Sequence, residues 1–315
     1  MTLDHRLHAI RDDLADARLK GRVDRPRYAY PTRKVVIAPS TRCEVSPGFS
    51  ALDTEFMFGE PVDVFDTEDS EPVEPDDLVV KDAWSWVQSA VDGYVGYVQS
   101  ADLVDAPAEP PTHMVSALHG ILYEEPTIKR YFMSKLPLGA MVTVTGFEET
   151  SETFAKVINL SQHRDTLYRH GLRARLPDTE EGYVLTKHLR PLDAPADDFV
   201  AVAEMFSGVP YLWGGKTATG IDCSGLVQLA LAAAGHAAPR DSDMQLALGR
   251  DAPIDGPLRR GDLIFWTGHV GIMTDPHTLL HANGFHMVTA VEPLQEAVKR
   301  LKEQNLPIIA VRRLD

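Results

Sequence analysis

Cys223 stands at the head of an apolar run, GIDCSGLVQLALAAAG (220–235), and is one of only two cysteines in 315 residues. The Ala and Leu content of that run predicts a helix, with Asp222 or Ser224 as its N-cap and Gly235 as its stop. A thiol in the first turn of a helix lies among unpaired N–H groups at the positive end of the macrodipole. The position therefore predicts a lowered pKa and a nucleophilic sulfur at neutral pH. A free cysteine is also among the most buried residue types, so position alone does not make it a nucleophile. A base does, and RRGDLIFWTGHVGIMTDPHTLLHANG (259–284) offers His269 and His281. The runs 269–273 and 278–282 read as a hairpin centred on Asp275, with His269 six residues before the centre and His281 six after it. That register opposes the two imidazoles directly, with Cβ atoms roughly 4.5–5.5 Å apart. One imidazole then takes the thiol proton while the other holds it in tautomer and orientation, which is the logic of covalent acyl transfer. His277 falls in the turn. A Cys/His/His set would also hold zinc with one position open. No second Cys or His lies within four residues of Cys223, however, so the local ligand pair of a zinc site is missing.

The elements that must position these groups lie in the last third of the chain. DFVAVAEMF predicts a helix at about 197–206, and DLIFW (262–266), HVGIM (269–273) and TLLHA (278–282) predict short strands. A late helix at 293–304 and a last strand at 308–314 complete an α+β unit. The preceding segments read as all-β. TEFMFGEPVDVFD (54–66) and SKLPLGAMVTV (134–144) share a strand–Gly–strand pattern, with Gly139 lying 80 residues after Gly59. DGYVGYVQSADL and EGYVLTKHL share a Gly-Tyr-Val hairpin, with Gly182 lying 89 residues after Gly93. The repeat predicts two small barrels. The breaker-rich stretches DAPAEPPTH (105–113) and LDAPADD (192–198) read as linkers. The predicted domains are therefore a charged amphipathic helical arm at 1–32, β segments at 33–104 and 112–191, and the α+β unit at 196–315.

The net charge of −15 repels nucleic acid and acidic membrane surfaces and suits an enzyme with a small substrate. The N-terminal stretch lacks the apolar core of a signal peptide, and no apolar run of about 18 residues occurs. Two cysteines are too few for a disulfide framework. The expected location is the cytoplasm, with no nucleic acid or membrane partner.

PYLWGGKTATGIDCSGLVQLAL, APRDSDMQ, RRGDLIFWTGHVGIM and LLHANG together resemble the NlpC/P60 cysteine peptidases, a papain-like family that hydrolyses peptide bonds of bacterial cell walls. The β segments are similar to SH3b domains, and the whole architecture resembles the γ-D-glutamyl-L-diamino acid endopeptidases of the dipeptidyl-peptidase VI group. The resemblance implies an α+β papain-like catalytic domain preceded by two small SH3-like β-barrels. It makes Cys223 the nucleophile, His269 the general base and His281 the orienting member, with no metal or organic cofactor. It also implies that Tyr211 helps bind the scissile carbonyl. Trp213 beside it reads as a packing residue. Asp222 and Ser224 line the substrate pocket, and Arg240, Asp241 and Ser242 contribute from an exposed loop, with Arg240 meeting a substrate carboxylate. Family members of this architecture are similar in using the first SH3b domain to admit only peptides with a free N-terminal L-Ala. An ammonium group needs a carboxylate with a tyrosine near it, and Glu60 with Tyr94, rather than Tyr97, fits that need. The implied substrate is a murein-derived L-Ala-γ-D-Glu-diamino acid peptide, cut before meso-diaminopimelate or L-Lys during cell-wall peptide recycling. Two other readings are an amidase or acyltransferase with the same Cys/His chemistry and a wall-binding protein with a degenerate site. The first needs an apolar acyl channel, which the polar PRDSDMQ loop does not suggest. The second has no use for an intact Cys223, His269 and His281.

Overall fold

The computed structural model describes residues 3–48, 50–68, 83–130, 132–160 and 181–314, and the chain divides into two units, Met1–Pro191 and Leu192–Asp315. In the first unit the arm is not the expected helix. Residues 3–32 hold a strand at Leu14–Asp16, a 3-10 turn at Ala17–Leu19 and a strand at Arg27–Ala29. Its charges pair two residues apart, Arg6 with Asp4 at 2.8 Å, Arg11 with Asp13 at 2.8 Å and Arg18 with Asp16 at 2.6 Å. Side chains at that spacing do not face each other on a helix. Ala9 and Leu14 are instead buried against Phe65 and Trp86, so tertiary burial overrides the helical pattern.

Two β domains follow, and their strand orders match. In the first, Leu52–Met57, Ser40–Glu44, Val95–Gln99, Trp84–Ser89, Pro61–Thr67, Thr32–Val36 and Leu103–Asp105 lie side by side in that order. In the second, Phe132–Pro137, His119–Tyr123, Glu181–Leu185, Thr153–Ile158 and Val144–Glu149 repeat the first five. Met141–Val142, His113–Val115 and Leu189–Pro191 repeat the last three. Gly59 and Gly139 occupy equivalent turns with φ of 76° and 92°. The second glycine pair is different from the expected one: Gly182 corresponds to Gly96, not Gly93. Gly96 and Gly182 each sit in a strand that runs into a 3-10 turn, Ser100–Asp102 or Thr186–His188, and then into the last strand. A Cβ on Gly96 would strike the sulfur of Cys43, and one on Gly182 would lie 2.7 Å from Leu122 Cδ1. Cys43 is therefore packing, buried in a core with Val36, Phe56, Val62, Val87 and Val98. The second core gathers Val115, Leu122, Leu136, Val157 and Val184, and takes in Val35, Ile37 and Phe58 from the first domain.

In the second unit a six-stranded antiparallel sheet carries the site. Its strands are β1 (Arg250–Ala252), β2 (Leu263–Trp266), β3 (His269–Met273), β4 (Thr278–Asn283), β5 (Val288–Pro293) and β6 (Ala310–Arg313), in the spatial order β1-β6-β2-β3-β4-β5. The helices are α1 (Phe199–Glu204), α2 (Cys223–Ala233), α3 (Ser242–Gln245) and α4 (Leu294–Glu303). Strands β1 and β5 were not expected from the sequence. α2 is apolar on nearly every side and is buried along its length, as a helix of that composition must be. It stops where expected. Gly235 takes a φ of 79°, its N–H reaches Ala232 O, and His236 N–H reaches Leu231 O at 2.9 Å. Leu294 and Ala297 of α4 pack with Met273, Leu279, Ile264 and Trp266 on one face of the sheet. Among the described residues no helix is long and apolar enough to cross a membrane.

Candidate active site

Asp222 organises the start of α2. It adopts an extended backbone, and its Oδ1 accepts the Gly225 N–H at 2.7 Å, the bond an N-cap makes to the third helical residue. Oδ2 accepts the Gly214 N–H at 2.9 Å, which ties the LWGG loop to the helix start. Cys223 is thus the first helical residue, as the sequence predicts, and it is buried. Its pKa moves opposite to the expectation. Burial and then the Asp222 charge push the thiol up to about 12, outweighing the backbone N–H groups of Val270 and Ser224 and the charge of Arg240. The sulfur rests as a thiol and needs a base to become a nucleophile.

Arg240 accounts for the buried carboxylate. Its side chain is 1% exposed, not in an open loop, and it donates to Asp222 Oδ2 at 2.6 Å, Asp222 Oδ1 at 3.0 Å and Ser224 Oγ at 2.9 Å. The expected contact with a substrate carboxylate is thereby corrected: the guanidinium fork grips the N-cap from within. Gln245, unremarked in the sequence, donates from Nε2 to Ser224 O and Pro239 O at 2.9 Å each and anchors α3 beneath the same turn. Ser242 opens α3 and Asp241 precedes it, both half-buried. Tyr211 bridges Ile221 and donates its N–H to Met287 O at 2.9 Å. Burial, then the charges of Cys223 and Asp222, push its phenol up to about 12, so the hydroxyl stays a donor. Trp213 does not pack as expected; it is 70% exposed.

The two histidines meet, by a different register. β3 and β4 pair Ile272 with Leu280 and Met273 with Leu279, so Gly271, not His269, stands opposite His281. A Cβ on Gly271 would lie 3.2 Å from His281 Cβ and 2.7 Å from Leu279 Cδ1. The absent side chain leaves room for His269 to reach diagonally, and its Nε2 lies 2.8 Å from His281 Nδ1. The same diagonal recurs on the other flank. Ala290 pairs with His281, and Glu292, two residues on, places Oε1 2.8 Å from His281 Nε2. Arg300 of α4 donates to Oε2 at 3.0 Å and to Oε1 at 2.5 Å. Burial lowers the pKa of His269, as do the charges of His281 and Arg300. Burial also brings His281 down to about 4 despite its bond to Glu292. For Glu292 burial opposes ionisation, but the bonds from Arg300 and His281 prevail and hold it at about 2. Glu292 was missed because β5 was missed. The Asn283-Gly284 dipeptide was the available signal, since Asn-Gly between apolar runs marks a hairpin.

Cys223 and this histidine pair come from α2 and β3, which are in contact, and the backbone of Val270 beside His269 favours the charged sulfur. A buried thiol, an imidazole and an orienting imidazole can carry out nucleophilic acyl transfer. Among the described residues no three His, Cys, Asp or Glu side chains are arranged to hold a metal ion. Glu60 and Tyr94 belong to the N-terminal unit. There Glu60 is buried, accepting from Met57 N–H at 3.1 Å and Ser89 Oγ at 2.9 Å. Tyr94 lies in the core of the first β domain, while Tyr97 packs toward the arm, where Arg11 donates to its hydroxyl at 3.3 Å.

Residues 208–303 match the NlpC/P60 family, and residues 78–103 match the bacterial dipeptidyl-peptidase SH3 domain. Over 93 residues the chain is 36% identical to the γ-D-glutamyl-L-lysine dipeptidyl-peptidase of Bacillus subtilis (strain 168), covering 30% of this chain and 31% of that one. It is 27% identical over 265 residues to dipeptidyl-peptidase 6 of Lysinibacillus sphaericus, covering 79% of this chain and 87% of that one. Its fold is similar to the crystal structure of an NlpC/P60 family protein from Bacillus cereus ATCC 10987, with a TM-score of 0.66 at 18% identity, over 90% of this chain and 99% of that one.

Proposed function

We propose that this chain, whose residues 208–303 match the NlpC/P60 family and whose residues 78–103 match the bacterial dipeptidyl-peptidase SH3 domain, is a cysteine peptidase that cuts the γ-D-Glu–diamino acid bond of murein peptides with a free N-terminal L-Ala. The observation that carries this reading is the contact of α2, which begins at Cys223, with the strand of His269, whose imidazole is joined to His281 at 2.8 Å. The relatives named for γ-D-glutamyl-L-lysine and dipeptidyl peptidase activity support the peptide class.

His269 takes the Cys223 proton as the sulfur attacks the γ-carbonyl, forming the C–S bond. Backbone N–H groups at the start of α2 hold the oxyanion, and the Tyr211 hydroxyl donates to it. Protonated His269 then gives its proton to the leaving amine as the C–N bond breaks. Water, deprotonated by the same imidazole, attacks the thioester and releases L-Ala-D-Glu. Ser224, Asp241 and Ser242 border the peptide. A cytoplasmic recycling role fits a net charge of −15 and the two free cysteines.

The test is mass spectrometry of the protein with L-Ala-γ-D-Glu-meso-diaminopimelate, its L-Lys counterpart and the N-acetylated forms. Release of L-Ala-D-Glu from the free peptides only, lost in Cys223→Ala, is the expected result. Cleavage of the acetylated peptides removes the requirement for a free N-terminal amine. A protein that cuts neither form overturns the substrate assignment.

A further inference from the structure

We infer that Glu292, clamped by Arg300, is a positioning residue that sets the tautomers of both histidines and so aims the basic nitrogen of His269 at Cys223. The inference rests on the thiol-peptidase reading above and concerns how the same site is held.

Glu292 is buried beside three basic side chains: His281 Nε2 at 2.8 Å, Arg300 at 2.5 and 3.0 Å, and His286 Nε2 at 3.4 Å. A carboxylate paired bidentately with an arginine is ionised and accepts only. The hydrogen between Glu292 and His281 therefore sits on His281 Nε2. In a neutral imidazole the other nitrogen is then an acceptor, so His281 Nδ1 is bare. The 2.8 Å contact with His269 consequently has His269 Nε2 as its donor. That leaves His269 Nδ1 with its lone pair free, the form in which this imidazole can take a thiol proton. With no acceptor fixed at Glu292, His281 can turn its proton to Nδ1. His269 Nε2 would then be the acceptor, and its proton would move to Nδ1.

Arg300 is held in turn. Its guanidinium lies 4.2 Å from the centroid of the Phe285 ring, and Phe285 lies edge-on to His286. The carboxylate and guanidinium nearly cancel in charge as seen from His269. What they supply is a directed acceptor rather than a net field, which makes the role one of orientation. All of these groups come from α4, β5 and the turn before β5. The hairpin and helix following the two histidines thus complete the site.

The test begins with the wild-type protein labelled with 15N at histidine. Long-range 1H–15N spectra at neutral pH are expected to show His269 and His281 both protonated at Nε2 and bare at Nδ1. His281 protonated at Nδ1 overturns the inference, with no variant required. Glu292→Ala is expected to lower kcat by about 10–100-fold with KM little changed, the range for loss of a group that orients a reacting imidazole. It should also leave His281 as a mixture of tautomers. Glu292→Gln keeps an acceptor oxygen and should retain more kcat than Glu292→Ala. Wild-type kcat in Glu292→Ala overturns the inference. If the wild-type protein cuts no murein peptide yet shows these tautomers, the substrate reading fails and the positioning role stands.

Discussion

Replacing Arg240 with methionine separates two jobs an arginine can do near a catalytic cysteine. Arg240 is 1% exposed and makes three bonds of 2.6–3.0 Å to Asp222 and Ser224. Methionine fills most of the volume but leaves the Asp222 carboxylate buried without its counter-charge. Breaking a buried pair from one side costs about 3–5 kcal/mol. Asp222 keeps the N–H groups of Gly214 and Gly225, so the lower end, about 3 kcal/mol, is expected. For a unit of this size that lowers Tm by roughly 10 °C. Asp222→Asn/Arg240→Met removes both charges while asparagine still caps α2, so the double variant should be more stable than Arg240→Met alone. The cycle should therefore show a coupling of about 2 kcal/mol. Urea or thermal unfolding of the four proteins, followed by circular dichroism, gives the numbers. A loss below about 1 kcal/mol in Arg240→Met, with the damage confined to KM, would refute the scaffold role and return Arg240 to the substrate.

Because burial and Asp222 push the Cys223 thiol up to about 12, its iodoacetamide alkylation rate in the free protein should still be climbing at pH 10; a plateau reached below pH 7 contradicts the burial argument. Gly271→Ala places a methyl group 2.7 Å from Leu279 Cδ1 and 3.2 Å from His281 Cβ, so it should cost about 1–3 kcal/mol of stability and lower kcat more than it raises KM. Wild-type kinetics in that variant would show that the diagonal path of His269 is not constrained there. His281, at about 4 folded against 6.5 unfolded, makes the folded state lose stability as pH falls from about 6.5 to 4. The contribution of Glu292, at about 2 against 4.5, is present above pH 4.5 and lost as pH falls toward 2. Unfolding midpoints should thus decline steadily below pH 6.5 and less steeply in His281→Asn, whereas a flat profile between pH 7 and 5 excludes the buried neutral histidine.

Local chemistry was legible in the amino-acid sequence. The Asp-Cys helix start, the Gly235 stop, the strands around His269 and His281 and the two-fold β repeat all follow from propensity, caps and periodicity, which act over a few residues. The family motifs, with their specific spacing, named the reaction class. Pairing decided the rest. A hairpin centre misplaced by one residue shifts every opposite partner by two, so the two histidines meet diagonally across Gly271 instead of face to face. The same kind of offset moved the partner of Gly182 from Gly93 to Gly96. Burial decided the charges. Arg240 looks like a loop cation until the N-cap carboxylate lies against it, and Cys223 looks activated until desolvation outweighs the helix start. Glu292 and Arg300 join His281 only because β5 and α4 fold back over it. Those interactions depend on what is brought together in space and removed from water, and no window of the sequence contains that.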